Sequence, residues 1–333
     1  MSISFHILNV LVGMMNAFKG QQYRCMAVNR VTLIYDQNYD VVIRDYYSYI
    51  KDLLLLDLNN CNKRCVVLLD LKYGSFLKHL FPCVRVSLQI EHTLVKPGAR
   101  GSGNALSGDL KMLDSQEKYL VRVANLEKLE KADIVIDYSR INLLNVKSSA
   151  QYTDLAEKSF SISPAVYAMD PENFMNGSTR VFDTITTFGN PNESRRKAFL
   201  EELRRRNIPF ENVNNTFENV DSLYQKTKIL INIRQTDHHD TLEELRVLPA
   251  LRCGVIVISE IASYCELTRY AKFVIWGKLE ELPDLVLSVQ RNYAEVHASI
   301  FGGNAFYRRM ERISRCNELT AFEVTNKISK LLN

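Results

Sequence analysis

No stretch of about twenty consecutive apolar residues occurs anywhere in the 333 residues, so nothing in the sequence reads as a bilayer-spanning helix. The opening run "MSISFHILNVLVGMM" is apolar, but no basic residue precedes it and it contains His6 and Asn9, which argues against a secretory leader. No CxxC pair is present, and the seven cysteines are odd in number and scattered. Neither a zinc site nor a disulfide framework is indicated, and reduced thiols fit a cytoplasmic compartment. Surplus charge is small as well: 42 Lys and Arg against 38 Asp and Glu leave +4, well short of a surface that coats nucleic acid. The expectation is a cytoplasmic protein with no nucleic-acid partner and no transmembrane segment, with room left for peripheral membrane contact.

Hydrophobic residues at 46% and charged residues at 24% exclude disorder and fibrous repeats. The length suffices for about two domains, each with its own core. In the first half, short runs rich in Val, Ile and Leu recur: "VTLIY" (31–35), "DVVIR" (40–44), "CVVLLD" (65–70), "VRVSLQI" (84–90), "YLVRV" (119–123) and "DIVIDY" (133–138). Such runs suit strands buried on both faces of a parallel sheet. Helical stretches separate them, clearest in "YSYIKDLLLLDL" (47–58) and "SFLKHLF" (75–81). The Gly- and Ser-rich segment "KPGARGSGNALSGD" (96–109) reads as a loop. Pro164, Pro171 and Gly177 break the pattern between 161 and 180 and mark the domain junction.

Beyond that junction the pattern restarts. Strands are predicted at 181–189, 208–213, 228–233, 254–259 and 272–276, with helices at 193–206, 219–226 and 241–252 between them. Strict alternation of this kind predicts a doubly wound sheet. The class is therefore α/β: two Rossmann-like doubly wound lobes facing a cleft, with residues 1–165 as the first lobe, 180–300 as the second and a helical tail over 301–333. Ligands bind outside the carboxyl ends of strands in such sheets, which directs attention to the loops that follow them.

One of those loops opens the stretch "RQTDHHDTLEELRVLPALRCGVIVISE" (234–260). Thr241 with Glu244, and Asp240 with Glu243, each form a capping-box pattern, so a helix is predicted to start at 240 or 241. Leu242, Leu245, Leu248 and Leu251 supply its apolar stripe, Gly254 its stop, and Pro249 a kink. The unpaired N–H groups at this helix start would form an anion site fit for a phosphate or pyrophosphate. His238 and His239 would add hydrogen bonds, whereas Asp237 and Asp240 would repel the anion unless they hold a histidine, a hydroxyl or a metal. Capping alone also accounts for Glu243 and Glu244.

The run "LPALRCGVIVISE" (248–260) resembles the segment of GT-B glycosyltransferases in which a helix, a Cys-Gly turn and a buried strand lead to Ser-Glu. The resemblance covers positions 181 to 276, the nucleotide-sugar-binding lobe. In general character the chain also resembles glycosyltransferases encoded by large algal DNA viruses. The family resemblance implies a soluble enzyme that moves a sugar from a nucleotide-sugar donor to a glycan or other hydroxyl acceptor bound at the first lobe, with the tail packing back toward that lobe. It implies donor contacts at His238, His239, Asp240, Thr241 and Glu244, at Ser259, Glu260 and Glu266 after the next strand, and at Gly189 in the first loop of the donor lobe. Asn190 stands where the family commonly has an arginine, and Arg195 and Arg196 lie near the position of a later lysine. Pro249 and Thr241 occupy the spacings at which retaining members commonly carry glutamates. No metal cofactor is implied, because helix N-termini and basic side chains take that role in the family.

An inverting transfer needs a general base for the attacking hydroxyl. His92, beside Glu91 in "LQIEHTLVKPG", is the candidate, with donor contact as its alternative role in a retaining enzyme; Lys96 and Arg100 would close over phosphate or acceptor. Two other readings stand beside this one. The Asp237-His238-His239 run resembles the motif of metal-dependent phosphoesterases, but Asp36, Asp40, Asp57 and Asp70 are scattered singly, without the further Asp-rich motifs such enzymes need. A non-catalytic module that binds a sugar nucleotide or glycan has the same pattern. The basic run "ESRRKAFLEELRRRN" (193–207) interleaves glutamates and reads as a solvated helix with i to i+4 pairs.

Overall fold

The computed structural model describes residues 3–20, 22–37, 44–58, 64–72, 76–97, 111–113, 118–164, 180–213, 220–236, 239, 242–262 and 264–332. The chain forms two compact units: Met1–Glu91 with Val123–Ile162 and Arg315–Asn333, and His92–Arg122 with Ser163–Ser314. The sequence reading places divisions near 165 and 301. Residues 92–122 go to the second unit, and the tail joins the first unit from Arg315 onward.

In the first unit β1 (Tyr23–Val28) and β2 (Val31–Asp36) form an antiparallel hairpin, with Val28 opposite Val31. The two-residue turn needs a left-handed residue, and Asn29 supplies it at φ 53. β3 (Cys65–Leu69) and β4 (Cys83–Gln89) follow in parallel. β5 (Thr93–Pro97), β6 (Lys111–Leu113) and β7 (Lys118–Val123) make a separate small sheet of order β5-β7-β6. That is the physical reason "YLVRV" leaves the first lobe: it pairs antiparallel with β6 instead of joining the parallel strands. β8 (Ile134–Asp137) and β9 (Ser159–Ser161) complete the large sheet in the order β1-β2-β3-β4-β8-β9. β2 and β3 are buried at every position, as expected of strands covered on both faces.

Helix α1 (Ile3–Lys19) packs on this sheet, burying Leu8, Val12 and Met15 with Tyr23, Ile34 and Val66. Helix α2 (Arg44–Leu58) begins where the run "DVVIR" ends; 40–43 lie outside the described residues, and Arg44 is helical, not extended. Most of the loop at 96–109 and of the junction at 161–180 also lies outside the described residues.

The second unit carries a five-stranded parallel sheet of β10 (Phe182–Thr186), β11 (Glu211–Asn212), β12 (Thr227–Asn232), β13 (Ile256–Glu260) and β14 (Val274–Gly277). Its order, β11-β10-β12-β13-β14, reverses direction at β10. The crossovers on either side of such a reversal lie on opposite faces, which leaves a crevice beyond the carboxyl ends of β10 and β12. Helix α3 (Ser194–Arg205) follows β10, and α4 (Glu244–Arg252) joins β12 to β13. The core is continuous: Ile185, Leu230, Ile231, Val247, Leu251, Val257, Ile258, Leu282 and Phe306 are fully buried. At the amino ends of the strands, buried Arg180 donates to the carbonyls of Tyr224, Thr227 and Cys253 and ties three connections together. The last helix, α5 (Asn304–Leu331), enters the first unit at Arg315, where Asn317 Nδ2 donates to Tyr49 Oη at 3.2 Å and Lys327 Nζ to the Glu157 carbonyl at 2.9 Å.

Candidate functional site

The polar groups that gather at the reversal point all belong to the second unit. β13 ends on Glu260, whose side chain is 3% exposed because the strand lies inside the sheet. An isolated carboxylate cannot stay ionised in such a place, and this one is surrounded by donors. Arg195 grips it with both Nη groups, Nη1 at 2.7 Å from Oε2. Arg234 donates from Nε at 3.0 Å, from Nη2 at 2.7 Å and from its backbone N–H at 3.1 Å. Glu193 caps α3 and accepts from the Arg195 backbone N–H at 3.1 Å, which fixes where that arginine starts.

A second network lies beside the first. Arg246, on α4, donates from Nη1 to Asn232 Oδ1 at 2.8 Å; Asn232 Nδ2 donates to Ser259 Oγ at 3.0 Å, and that hydroxyl donates to the Glu260 carbonyl. Each of these groups ends a parallel strand or faces one. Arg196 lies buried over the Phe188 ring at 4.8 Å, and its Nε has no hydrogen-bond partner among the described residues. The same is true of Nε in Arg122, on β7. Burial first, and then the like charge of Arg246, push the Arg196 guanidinium down to about 10.

Between these arginines stand two histidines and a glutamate. His92 Nε2 and Glu243 Oε2 are 2.7 Å apart, and the His92 ring meets His239 edge to face at 5.5 Å between centroids. His239 Nδ1 is hydrogen-bonded to Thr236 Oγ1 at 2.7 Å. Burial would raise the Glu243 carboxyl, but His92, Arg246 and Arg196 outweigh it and hold the group at about 2. Burial lowers His239 to about 4, helped by His92, Arg196 and Arg122. The cluster therefore keeps Glu243 charged and His239 neutral across the physiological range.

These shifts make stability depend on pH. With its folded value near 4 against an ordinary 6.5, His239 gives its full contribution above pH 6.5 and loses it as pH falls to about 4. Glu243, held near 2 against 4.5, contributes fully above 4.5 and loses that as pH falls toward 2. Denaturant unfolding should show a loss of roughly 1–3 kcal/mol in the upper window, and His239→Gln should flatten it. A wild-type stability that stays level over that window would refute the buried neutral histidine.

The predicted site residues fall into three groups. His92, His239, Arg195, Ser259 and Glu260 belong to the networks just described. His238, Asp240, Thr241 and Arg100 lie outside the described residues, as does Asp237, and of Lys96 only the backbone, in β5, is described. The remainder stand apart. Glu266 is exposed on a single turn beside Cys265 Sγ, Gly189 is exposed in the loop after β10, and Glu91 is exposed, using its carbonyl to accept from Asn142 Nδ2 at 3.0 Å.

One expectation needs correction. The helix starts at Glu244, not at 240 or 241, and Glu243 occupies the cap position without a side-chain capping bond, because its carboxylate turns to His92. Glu244 is 2% exposed, against the Tyr270 phenol, and Leu242 is buried as well, whereas Glu243 between them is 25% exposed. Carboxylates at both of these first positions oppose an anion at this helix end. Pro249 sits buried inside α4 without ending the helix.

Sequence reasoning missed Arg122, Arg234, Arg246, Asn232 and the pairing role of Glu243. The usable signal was positional: a polar residue closing an apolar strand, as in "KILIN" and "IVISE", marks the functional edge of a parallel sheet. Helix α3 shows the expected pairs, Lys197 with Glu201 and Arg206 with Glu202, on its outer face, but Arg196 is buried.

No protein-family model and no curated protein matches the chain. Among solved structures it is similar to TarM, at 12% identity over 93% of this chain and 63% of that one, with a TM-score of 0.42. It is also similar to an α1,3-fucosyltransferase with GDP, at 14% identity over 83% of this chain and 87% of that one, TM-score 0.37. For an α1,3-fucosyltransferase with GDP-fucose the figures are 12% identity, 79% of each chain and 0.36. The chain thus spans less than two thirds of the length of TarM, 63%.

Proposed function

We propose that this chain is a glycosyltransferase that binds a nucleotide-sugar donor at the reversal point of the second sheet and transfers the sugar to a hydroxyl acceptor. One observation carries the reading: Arg196 acts electrostatically on both Glu243 and His239, Arg246 on Glu243 and Arg122 on His239, and the buried Nε donors of Arg122 and Arg196 have no acceptor among the described residues. Guanidinium donors short of acceptors suit a diphosphate, whose oxygens are acceptors only. The same charges would stabilise the diphosphate as it departs. The likeness of "LPALRCGVIVISE" to the donor lobe of GT-B enzymes agrees with this placement.

In the proposed step the acceptor oxygen attacks the anomeric carbon, the bond from that carbon to the diphosphate breaks, and the diphosphate leaves with the electron pair. His92 takes the acceptor proton. Glu243, 2.7 Å from His92 Nε2, fixes the orientation of the ring, which is the part assigned to it.

A thermal-shift series with UDP-, GDP-, CMP- and dTDP-sugars tests the donor site. One of them should raise the melting temperature by several degrees at saturation, and Arg196→Gln with Arg246→Gln should abolish that rise. The reading fails if none of the four shifts the wild type.

A further inference from the structure

We propose that the outer face of α1, together with the edge hairpin beside it, is a docking surface for an anionic lipid membrane. The helix is apolar on more than one side. Leu8, Val12 and Met15 are buried in the first unit, yet Ile7, Val10 and Met14, spaced i, i+3, i+7, stand 44%, 51% and 50% exposed. A helix with apolar residues on its outer face as well as its inner one is ordinarily covered by something. Next to it lies β1, the edge strand of the large sheet, which exposes Met26 and Arg24. Asn16 fastens the two together by accepting from the Tyr23 backbone N–H at 2.8 Å and donating to its carbonyl at 2.9 Å. The stripe is therefore a fixed part of the surface.

Charge selects the occupant. From residue 1 to residue 35 the chain has no Asp or Glu, although the whole contains 38, and Lys19, Arg24 and Arg30 in this stretch are exposed. The acid of the hairpin, Asp36, is buried, so the exposed patch joins an apolar stripe to basic residues and is complementary to an anionic bilayer: the side chains enter the headgroup region and the basic groups meet lipid phosphates. A partner surface on a second copy would place these basic residues opposite one another. No helix among the described residues is long and apolar enough to cross a membrane, so the contact is lateral. The inference does not depend on sugar transfer.

The test is co-sedimentation of the full chain with vesicles of phosphatidylcholine alone or mixed with phosphatidylglycerol, at low and high salt. The chain should sediment with the mixed vesicles at least about tenfold more than with phosphatidylcholine, and high salt should weaken this. Ile7→Ser with Val10→Ser and Met14→Ser should reduce binding about tenfold, as should Lys19→Gln with Arg24→Gln and Arg30→Gln. Melting temperatures monitor folding; if the serine variant melts low, the charge variant decides. Failure of the wild type to sediment, or binding indifferent to the charge variant, overturns the proposal. So does a dimer in light scattering that the serine variant dissolves while vesicles remain unbound, since a second copy would then cover the face.

Discussion

Glu260→Ala should destabilise the fold by about 3–5 kcal/mol in urea unfolding, the range for breaking a buried ion pair from one side. The reason is the company this carboxylate keeps. It accepts from Arg195 and Arg234, whose side chains are 16% and 20% exposed, and its removal takes away the carboxylate that the two guanidinium groups share. Arg195→Met and Arg234→Met introduced into the alanine variant should recover part of the loss, because they remove the two charges that Glu260 balances. Glu260→Gln should fall between, keeping the volume but not the charge. The resemblance to GT-B enzymes implies a different part for Glu260, direct contact with the donor. A direct contact predicts that alanine weakens donor binding and leaves the apo protein as stable as before. Measuring both quantities on one variant separates an anchor for two arginines from a group that touches substrate.

His92→Gln should lower kcat by about 10²–10⁴, the usual contribution of a positioned general base, with KM for the donor little changed. Glu243→Gln should reproduce much of that loss while the donor-induced melting shift persists, because its assigned part is to orient His92 across 2.7 Å. The split between kcat and donor binding distinguishes this from simple damage, since a disrupted site would lose the melting shift as well. A Glu243→Gln enzyme with unchanged kcat would sink the assigned role, as would His92→Gln with full activity.

Much of the second sheet was legible before any coordinates. Five apolar runs separated by amphipathic stretches predict five strands and their helices; β10 and β11 fall within those runs, and β12, β13 and β14 each overrun theirs by one residue. Burial on both faces forces continuous apolar runs, so the pattern is written locally. "YLVRV" has the same appearance and belongs to a small antiparallel sheet, because a run of apolar residues does not state its partner. "DVVIR" shows the limit from the other side: its last residue opens α2, where the following "DYYSYIKDLLLLDL" repeats at helical spacing.

At the site, composition and order determined less. The sequence alone fixed which residues could end strands, where the apolar cores lie and that no spanning helix is encoded, since these follow from periodicity and solvent preference within a few neighbouring residues. Only the tertiary structure decided that His92 meets Glu243 across 151 positions, that Arg195 and Arg234 share Glu260, and that Glu244 is buried while Arg196 sits beside Arg246. Those outcomes depend on which strand lies next to which, and a charged side chain takes its partner from whatever the sheet order brings within hydrogen-bonding distance.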